Sequence, residues 1–197
     1  MAAETVGCDE RGLERTAEVL LAGGVAAIPT DTVYGLAAHP GRAEAVARLY
    51  SIKGRERGKP IAFLAADAAA VAAAGFPLGA QAAALAARHW PGALTLVVES
   101  ERGGLFEGFR VPDHDWTRRL LARCGGTLRV TSANLSGERP ATDAREAFAE
   151  VGARADIVAD GGPCPGGTAS TVVKVARDGS LEILRQGPLA PLAPKMV

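Results

Sequence analysis

The sequence predicts a single α/β domain built on one open sheet, and three observations carry that prediction. Short apolar runs alternate with segments of helical periodicity along the whole chain. Across 197 residues, 48% are hydrophobic but only 5% aromatic, which suits one sizeable core of small aliphatic side chains. Two of the apolar runs end in polar clusters, Thr30 to Tyr34 and Ser132 to Asn134, and ligands of open α/β sheets bind at such strand ends. No internal repeat and no long linker divides the chain. One domain over 1–197 is therefore expected, with a core of about 9–187 and a Pro- and Leu-rich tail at 188–197 that is only partly ordered.

The elements follow in order. Asp9 to Leu21 places Leu13, Ala17, Leu20 and Leu21 on one helical face and stops at Gly23-Gly24. Val25 to Pro29 is a buried strand that delivers Thr30, Asp31, Thr32, Val33 and Tyr34 at its end. Those hydroxyls and that carboxylate either face a ligand or form a helix cap beside a packed tyrosine. Arg42 to Ser51 is a helix, and Pro60 to Leu64 the next strand. Asp67 to Ala74 and Leu78 to His89 are alanine-rich helices, the second ending at Trp90-Pro91-Gly92 with His89 as a partner for the helix dipole. Ala93 to Val98 is a strand; Phe109 to Pro112 is another, carrying Arg110 in an apolar setting where a cation needs a partner, a bound carboxylate being one candidate. Trp116 to Cys124 is a helix with solvated Arg118, Arg119 and Arg123.

Leu128 to Thr131 is a strand running into Ser132-Ala133-Asn134. Spacing of two puts a hydroxyl and an amide on one side, either addressing a single ligand or forming a polar turn. Asp143 to Val151 is a helix and Asp156 to Ala159 a strand. The Gly161 to Gly167 stretch reads as a loop that can act as a lid. Thr171 to Val175 and Leu181 to Arg185 close the domain, with Gly179 in their turn.

Between the helix at 42–51 and the strand at 60–64 lies the most charged stretch, with Lys53, Arg55, Arg57 and Lys59 at alternate positions and only Glu56 to offset them. Its glycines make poor helix, so these cations are expected on a loop, either as a polyphosphate clamp or as a solvated basic surface. It is not a P-loop: three residues separate Gly54 from Gly58, and Pro60 follows the lysine where that motif needs Ser or Thr.

The charges balance, 22 against 22, so no global field draws the chain to polyanions. Cys8, Cys124 and Cys164 are an odd count without a C-x-x-C pair, which speaks against a disulfide framework or zinc site and for a reducing compartment. The N-terminal stretch has no basic segment followed by an apolar run, and no apolar stretch is long enough to span a bilayer, so the expectation is a cytoplasmic protein without a membrane.

Several motifs together resemble the YrdC family: P-T-D-T-V-Y-G-L at 29–36, I-K-G-R and K-P-I within 52–61, W-P-G-A-L-T-L-V at 90–97, F-R-V-P-D-H at 109–114, T-S-A-N-L-S-G at 131–137, and S-T-V-V with I-L-R-Q-G within 170–187. The resemblance covers most of the chain. It implies a twisted open sheet of mixed parallel and antiparallel strands with flanking helices, enclosing a cationic cavity. It further implies an enzyme that joins L-threonine, bicarbonate and ATP into threonylcarbamoyl-AMP and pyrophosphate for the tRNA modification t6A. ATP would be substrate, with Mg2+ held through its phosphates and no protein metal site, and a downstream t6A transferase machinery would be the partner. By motif position, Lys53, Arg55, Ser132 and Asn134 would be catalytic. Arg55, Lys59, Ser132, Asn134 and Arg185 would face ATP, with a further nucleotide contact near Pro140 or Ala141. Thr32, Tyr34, Arg110, Val130 and Thr171 would face threonine. Many relatives have a histidine where this chain has Leu64.

Those residue types suit a reaction catalysed by positioning and charge neutralisation, without a covalent intermediate. Two other readings stand beside it. One is a carbamoyl-adenylate-handling module, which in the family belongs to large chains with zinc-binding segments. The other is weak RNA binding, against which net charge and scarce aromatics argue.

Overall fold

In a computed structural model the protein is described over residues 3–189, so most of the tail expected at 188–197 lies outside the described residues. Among the described residues, ten strands form one mixed sheet. In chain order they are β1 (Glu4–Gly7), β2 (Val25–Ile28), β3 (Gly35–Ala38), β4 (Phe63–Ala65), β5 (Leu94–Glu99), β6 (Phe106–Arg110), β7 (Thr127–Ser132), β8 (Ile157–Asp160), β9 (Thr171–Val175) and β10 (Leu181–Arg185). Their order across the sheet is β1-β8-β2-β3-β7-β4-β6-β5-β9-β10. The β1–β8, β2–β8, β4–β6 and β5–β9 pairs are parallel, and β2–β3, β3–β7, β4–β7, β5–β6 and β9–β10 antiparallel.

The described residues include six helices that cover it: α1 (Glu10–Leu21), α2 (Ala43–Lys53), α3 (Ala68–Ala73), α4 (Ala80–His89), α5 (Asp115–Arg123) and α6 (Ala144–Val151). Asp9, Asp67 and Asp143 cap α1, α3 and α6, each carboxylate accepting a first-turn amide that has no partner inside the helix. The apolar faces then sort by sheet side. Leu13, Ala17 and Leu20 of α1 pack with Leu120 and Leu121 of α5 over Ala26, Ala37 and Leu128. On the opposite side Ala45, Leu49 and Ile52 of α2 meet Ala147 and Val151 of α6 over Ala27, Leu36 and Val158. Each fully buried leucine of this kind contributes about 1.5–3 kcal/mol.

The β4, β6, β5 and β9 strands are treated asymmetrically. Val71 of α3 and Leu85 and Ala86 of α4 cover the face bearing Phe63, Leu94, Leu96, Phe109 and Val173. Side chains alternate along a strand, so Thr95, Val97, Gly108, Arg110, Val172 and Lys174 point the other way, and those residues line a cavity instead of meeting a helix.

Three features depart from expectation. Strands β1 and β3 were not anticipated. The β3 residues follow directly on the Thr30 to Tyr34 turn and pair with both β2 and β7. The second helix continues past Ser51 to Lys53, so that residue is helical and not on the basic loop. Its stop is Gly54, left-handed at φ 61° and ψ 33°, whose amide bonds the carbonyls of Ser51 and Tyr50. The strand expected at 60–64 begins only at Phe63.

Candidate functional site

The uncovered half of the sheet forms the floor of a cavity of about 670 Å3, within the size range of small-molecule sites. Of the residues singled out by sequence, Thr32, Tyr34, Arg55, Arg110, Val130, Ser132 and Arg185 line it. Lys53, Lys59, Asn134 and Thr171 do not. The lining strands come from distant parts of the chain, with β7 between β3 and β4, and β9 beside β5.

Arg110, 6% exposed, is held on three sides. Its Nε donates to Gly92 O at 2.9 Å, one terminal nitrogen to Thr32 Oγ1 at 2.7 Å, and the other to Asp31 Oδ1. Within the fold the partner this cation needs is Asp31, where the sequence offered a bound carboxylate as one candidate. Burial pulls the Arg110 pKa below its ordinary value and Asp31 opposes the shift, while a guanidinium stays protonated throughout. Thr30 Oγ1 lies 3.0 Å from Thr32 Oγ1 and donates to Val33 O at 2.6 Å, fixing the turn that presents this group.

Arg185 faces the same space from β10. Its Nε donates to Ser170 O at 3.0 Å and a terminal nitrogen lies 3.2 Å from Ser170 Oγ, which itself sits 2.8 Å from Thr95 Oγ1. Arg55 arrives from the loop after α2, with its guanidinium donating to Lys59 O and Pro60 O, both at 3.1 Å. Burial lowers the Arg185 pKa and the positive charge of Arg55 lowers it further, so the two cations share one electrostatic neighbourhood. Ser132, at the end of β7, adds its hydroxyl to that wall.

Lys53 does something other than expected. It is 3% exposed, and its ammonium donates to Ser132 O at 2.5 Å, Asn134 O at 2.6 Å and Asn134 Oδ1 at 3.2 Å, with Ser132 Oγ at 3.3 Å. The expectation of a loop cation free to reach phosphate is corrected: the side chain is engaged within the fold. Its pKa is pushed down to about 8, chiefly by burial and then by Arg55. Asn134, also buried, has its amide donating to Leu135 O and Glu138 O at 2.7 Å each.

Lys59 lies on the exposed loop in an ion pair with Glu56. The Thr171 hydroxyl accepts from Gly187 N at 3.0 Å and Leu189 N at 3.3 Å, tying down the segment after β10. Ala141 is buried, with its carbonyl accepting from Tyr34 N at 2.9 Å. The Tyr34 side chain is fully buried in the core with Leu49 and Ala147, and its hydroxyl donates to Gly162 O at 2.9 Å and accepts from Gly161 N at 3.1 Å. That hydroxyl therefore anchors the start of the 161–167 loop. The loop then passes so close to the Asp31 carbonyl that a Cβ on Gly166 would sit 2.7 Å from its oxygen.

Sequence reasoning missed a second, half-buried pair. Glu107, on the cavity wall, accepts from both terminal nitrogens of Arg129 at 2.7 and 2.6 Å, and the guanidinium lies 3.7 Å from the centroid of the Phe63 ring. A cation inside the β7 strand was the available signal. Ser170 and Lys174, on or beside β9, were likewise not singled out as cavity residues.

Chain comparisons agree with this geometry. The Sua5_yciO_yrdC family model, described as "Telomere recombination", matches residues 18–187. The threonylcarbamoyl-AMP synthase of Bacillus subtilis (strain 168) is 33% identical over 175 residues, covering 84% of this chain and 51% of the relative, so the chain spans about half its length. A putative threonylcarbamoyl-AMP synthase of Mycobacterium tuberculosis is also 33% identical, over 188 residues, with 91% and 86% covered. Among solved structures, P. abyssi Sua5 complexed with L-threonine superposes with a TM-score of 0.85 at 27% identity, covering 96% of this chain and 58% of that one. E. coli YciO, at 21% identity and a TM-score of 0.82 over 95% and 97%, shares the fold. From the mixed sheet, the ordered motifs and the family match over nearly its whole length, the chain belongs to the Sua5/YciO/YrdC family.

Proposed function

We propose that the protein is a threonylcarbamoyl-AMP synthase, forming threonylcarbamoyl-adenylate and pyrophosphate from L-threonine, bicarbonate and ATP. One observation carries the reading: a single cavity in a chain of this family holds Arg55, Ser132 and Arg185 on one wall and Thr32 with Arg110 on another. The first group suits a triphosphate, because guanidinium forks match phosphate oxygens. The second suits an amino acid, whose carboxylate would approach Arg110 from the cavity side while Asp31 holds it from behind. The solved relative named as complexed with L-threonine supports the amino-acid assignment.

In this reading the threonine amine takes up carbon dioxide from bicarbonate as a carbamate. A carbamate oxygen then attacks the α-phosphorus and the bond to pyrophosphate breaks. Arg55 and Arg185 neutralise charge on the leaving group, and the cavity brings amine and nucleotide together. Magnesium would be bound through the nucleotide phosphates: among the described residues no group of three or more His, Cys, Asp or Glu is arranged to hold a metal, and Asp31 is engaged by Arg110. The product would pass to a t6A transferase machinery, and the work would be done in the cytoplasm.

The test is pyrophosphate release with all three substrates and with each omitted in turn. Release that needs both threonine and bicarbonate is expected. ATP turnover indifferent to threonine would overturn the assignment.

A further inference from the structure

The ammonium of Lys53 crosses from the end of α2 to the exit of β7, where Ser132 and Asn134 supply its oxygen acceptors. The link is returned by the backbone, since Ser136 N donates to Lys53 O at 2.8 Å. Asn134 then closes the following turn through Leu135 O and Glu138 O. The two cavity groups that flank this link, Arg55 and Ser132, lie two residues beyond Lys53 and two before Asn134. A buried lysine without a carboxylate partner among its hydrogen bonds is costly to keep, so its oxygen cage requires a reason.

We infer that Lys53 is a positioning residue that fixes Arg55 and Ser132 relative to each other, and is not itself a ligand of the nucleotide. The inference rests on the synthase reading for its kinetic arm only. Helix α2 brings Arg55 to the cavity and strand β7 brings Ser132, and these two elements lie far apart in the sequence and meet only through the sheet: α2 packs on β3, and β7 runs between β3 and β4. Lys53 bridges them next to the chemistry. Asn134 shares the task as an acceptor, so the four-residue set expected from sequence divides into two that frame the site and two that face it.

The experiment uses Lys53→Met, which keeps the length of the side chain and removes its donors. Amide hydrogen exchange is measured without any ligand, followed by steady-state pyrophosphate release and ATP binding by calorimetry. Exchange over 132–138 is expected to speed up by about tenfold or more while distant core amides hold. At saturating substrates kcat should fall by about tenfold or more, with the KM and Kd for ATP within about threefold of wild type. A purely structural role would not produce that split between kcat and KM. Unchanged exchange over 132–138, or an ATP Kd raised tenfold or more at unchanged kcat, would overturn the inference and make Lys53 a phosphate ligand. Should Lys53→Met fail to fold, Asn134→Ala removes one acceptor of the same cage, and normal exchange over 132–138 in that variant would equally refute it. If the protein released no threonine-dependent pyrophosphate at all, the synthase reading would fail while the exchange result still decided the role of Lys53 in holding the turn.

Discussion

Asp31, in the turn between β2 and β3, and Arg110, at the end of β6, form a largely buried ion pair, with side chains 12% and 8% exposed. Removing one member of such a pair leaves a buried charge uncompensated, at about 3–5 kcal/mol. Arg110→Met should therefore lower unfolding stability by about 3 kcal/mol in urea titration, and Asp31→Asn by less, because Thr32 and Gly92 still hold the guanidinium. The double variant should cost less than the sum. In turnover, Arg110→Met should raise the threonine requirement much more than the ATP requirement; equal effects would remove Arg110 from the amino-acid subsite.

Arg55 offers the opposite combination. It sits on the loop after α2 and bonds only loop carbonyls, so Arg55→Ala should change stability by no more than about 0.5 kcal/mol. If it stabilises charge on departing pyrophosphate, the barrier should rise by roughly 3–4 kcal/mol, a hundred- to thousandfold in rate. Thermal melting beside the pyrophosphate assay separates the two effects, and a wild-type rate would exclude the role.

The Tyr34 hydroxyl is the latch of the 161–167 loop. Tyr34→Phe leaves Gly162 O and Gly161 N without their partner, a loss of about 1–3 kcal/mol where those groups stay dry. The loop should then be nicked faster by a nonspecific protease, and ATP with threonine should slow nicking in the wild type. Cleavage indifferent to both the substitution and the ligands would leave 161–167 as an ordinary surface loop.

The thiols give a pH dependence with a definite sign. Burial, followed by Asp160 and Asp9, pushes Cys8 up from its ordinary 9.0 to about 12, and burial takes Cys124 to about 11. A group with a raised folded pKa contributes stability that is complete below the unfolded value and is lost as pH climbs from about 9 toward 12. The stability difference between wild type and Cys8→Ser should therefore shrink across that window. At pH 8 the native protein should react with iodoacetamide at least tenfold more slowly than the urea-unfolded chain, since the thiolate is the nucleophile. Equal rates would contradict the burial of these thiols.

Much of this architecture was legible because it rests on local chemistry. Asp9, Asp67 and Asp143 announce the helices they cap, and Leu94 to Val98 announces its strand by apolar content alone. The missed strands lacked such signals: β1 is mostly exposed, and β3 is three small residues around Leu36 that gain strand character only from β2 and β7 on either side. Placing Lys53 on a loop came from weighting its charge over Gly54, the residue that ends the helix. The pairing of Arg110 with Asp31, and of Arg129 with Glu107, spans sequence distances over which periodicity carries no information; only the assembled sheet brings them together. Seven of the singled-out residues nonetheless line one cavity, because strand ends that carry hydroxyls and cations converge where the sheet lacks a covering helix.

The parallel seat of β9 beside β5 has a consequence for how the molecule comes into being. As the chain leaves the ribosome, β5 emerges with its apolar Leu94, Leu96 and Val98 long before the strand that will shield its open edge. That interval covers the synthesis of β6, α5, β7, α6 and β8, and an unpaired apolar edge is a template for wrong partners. Arg185, on β10, is synthesised later still, so the cavity wall it shares with Arg55 is also incomplete through that interval. Until β9 is laid down, the exposed edge of β5 is open to pairing with any other strand, and this strand order makes that interval a vulnerability of the folding chain.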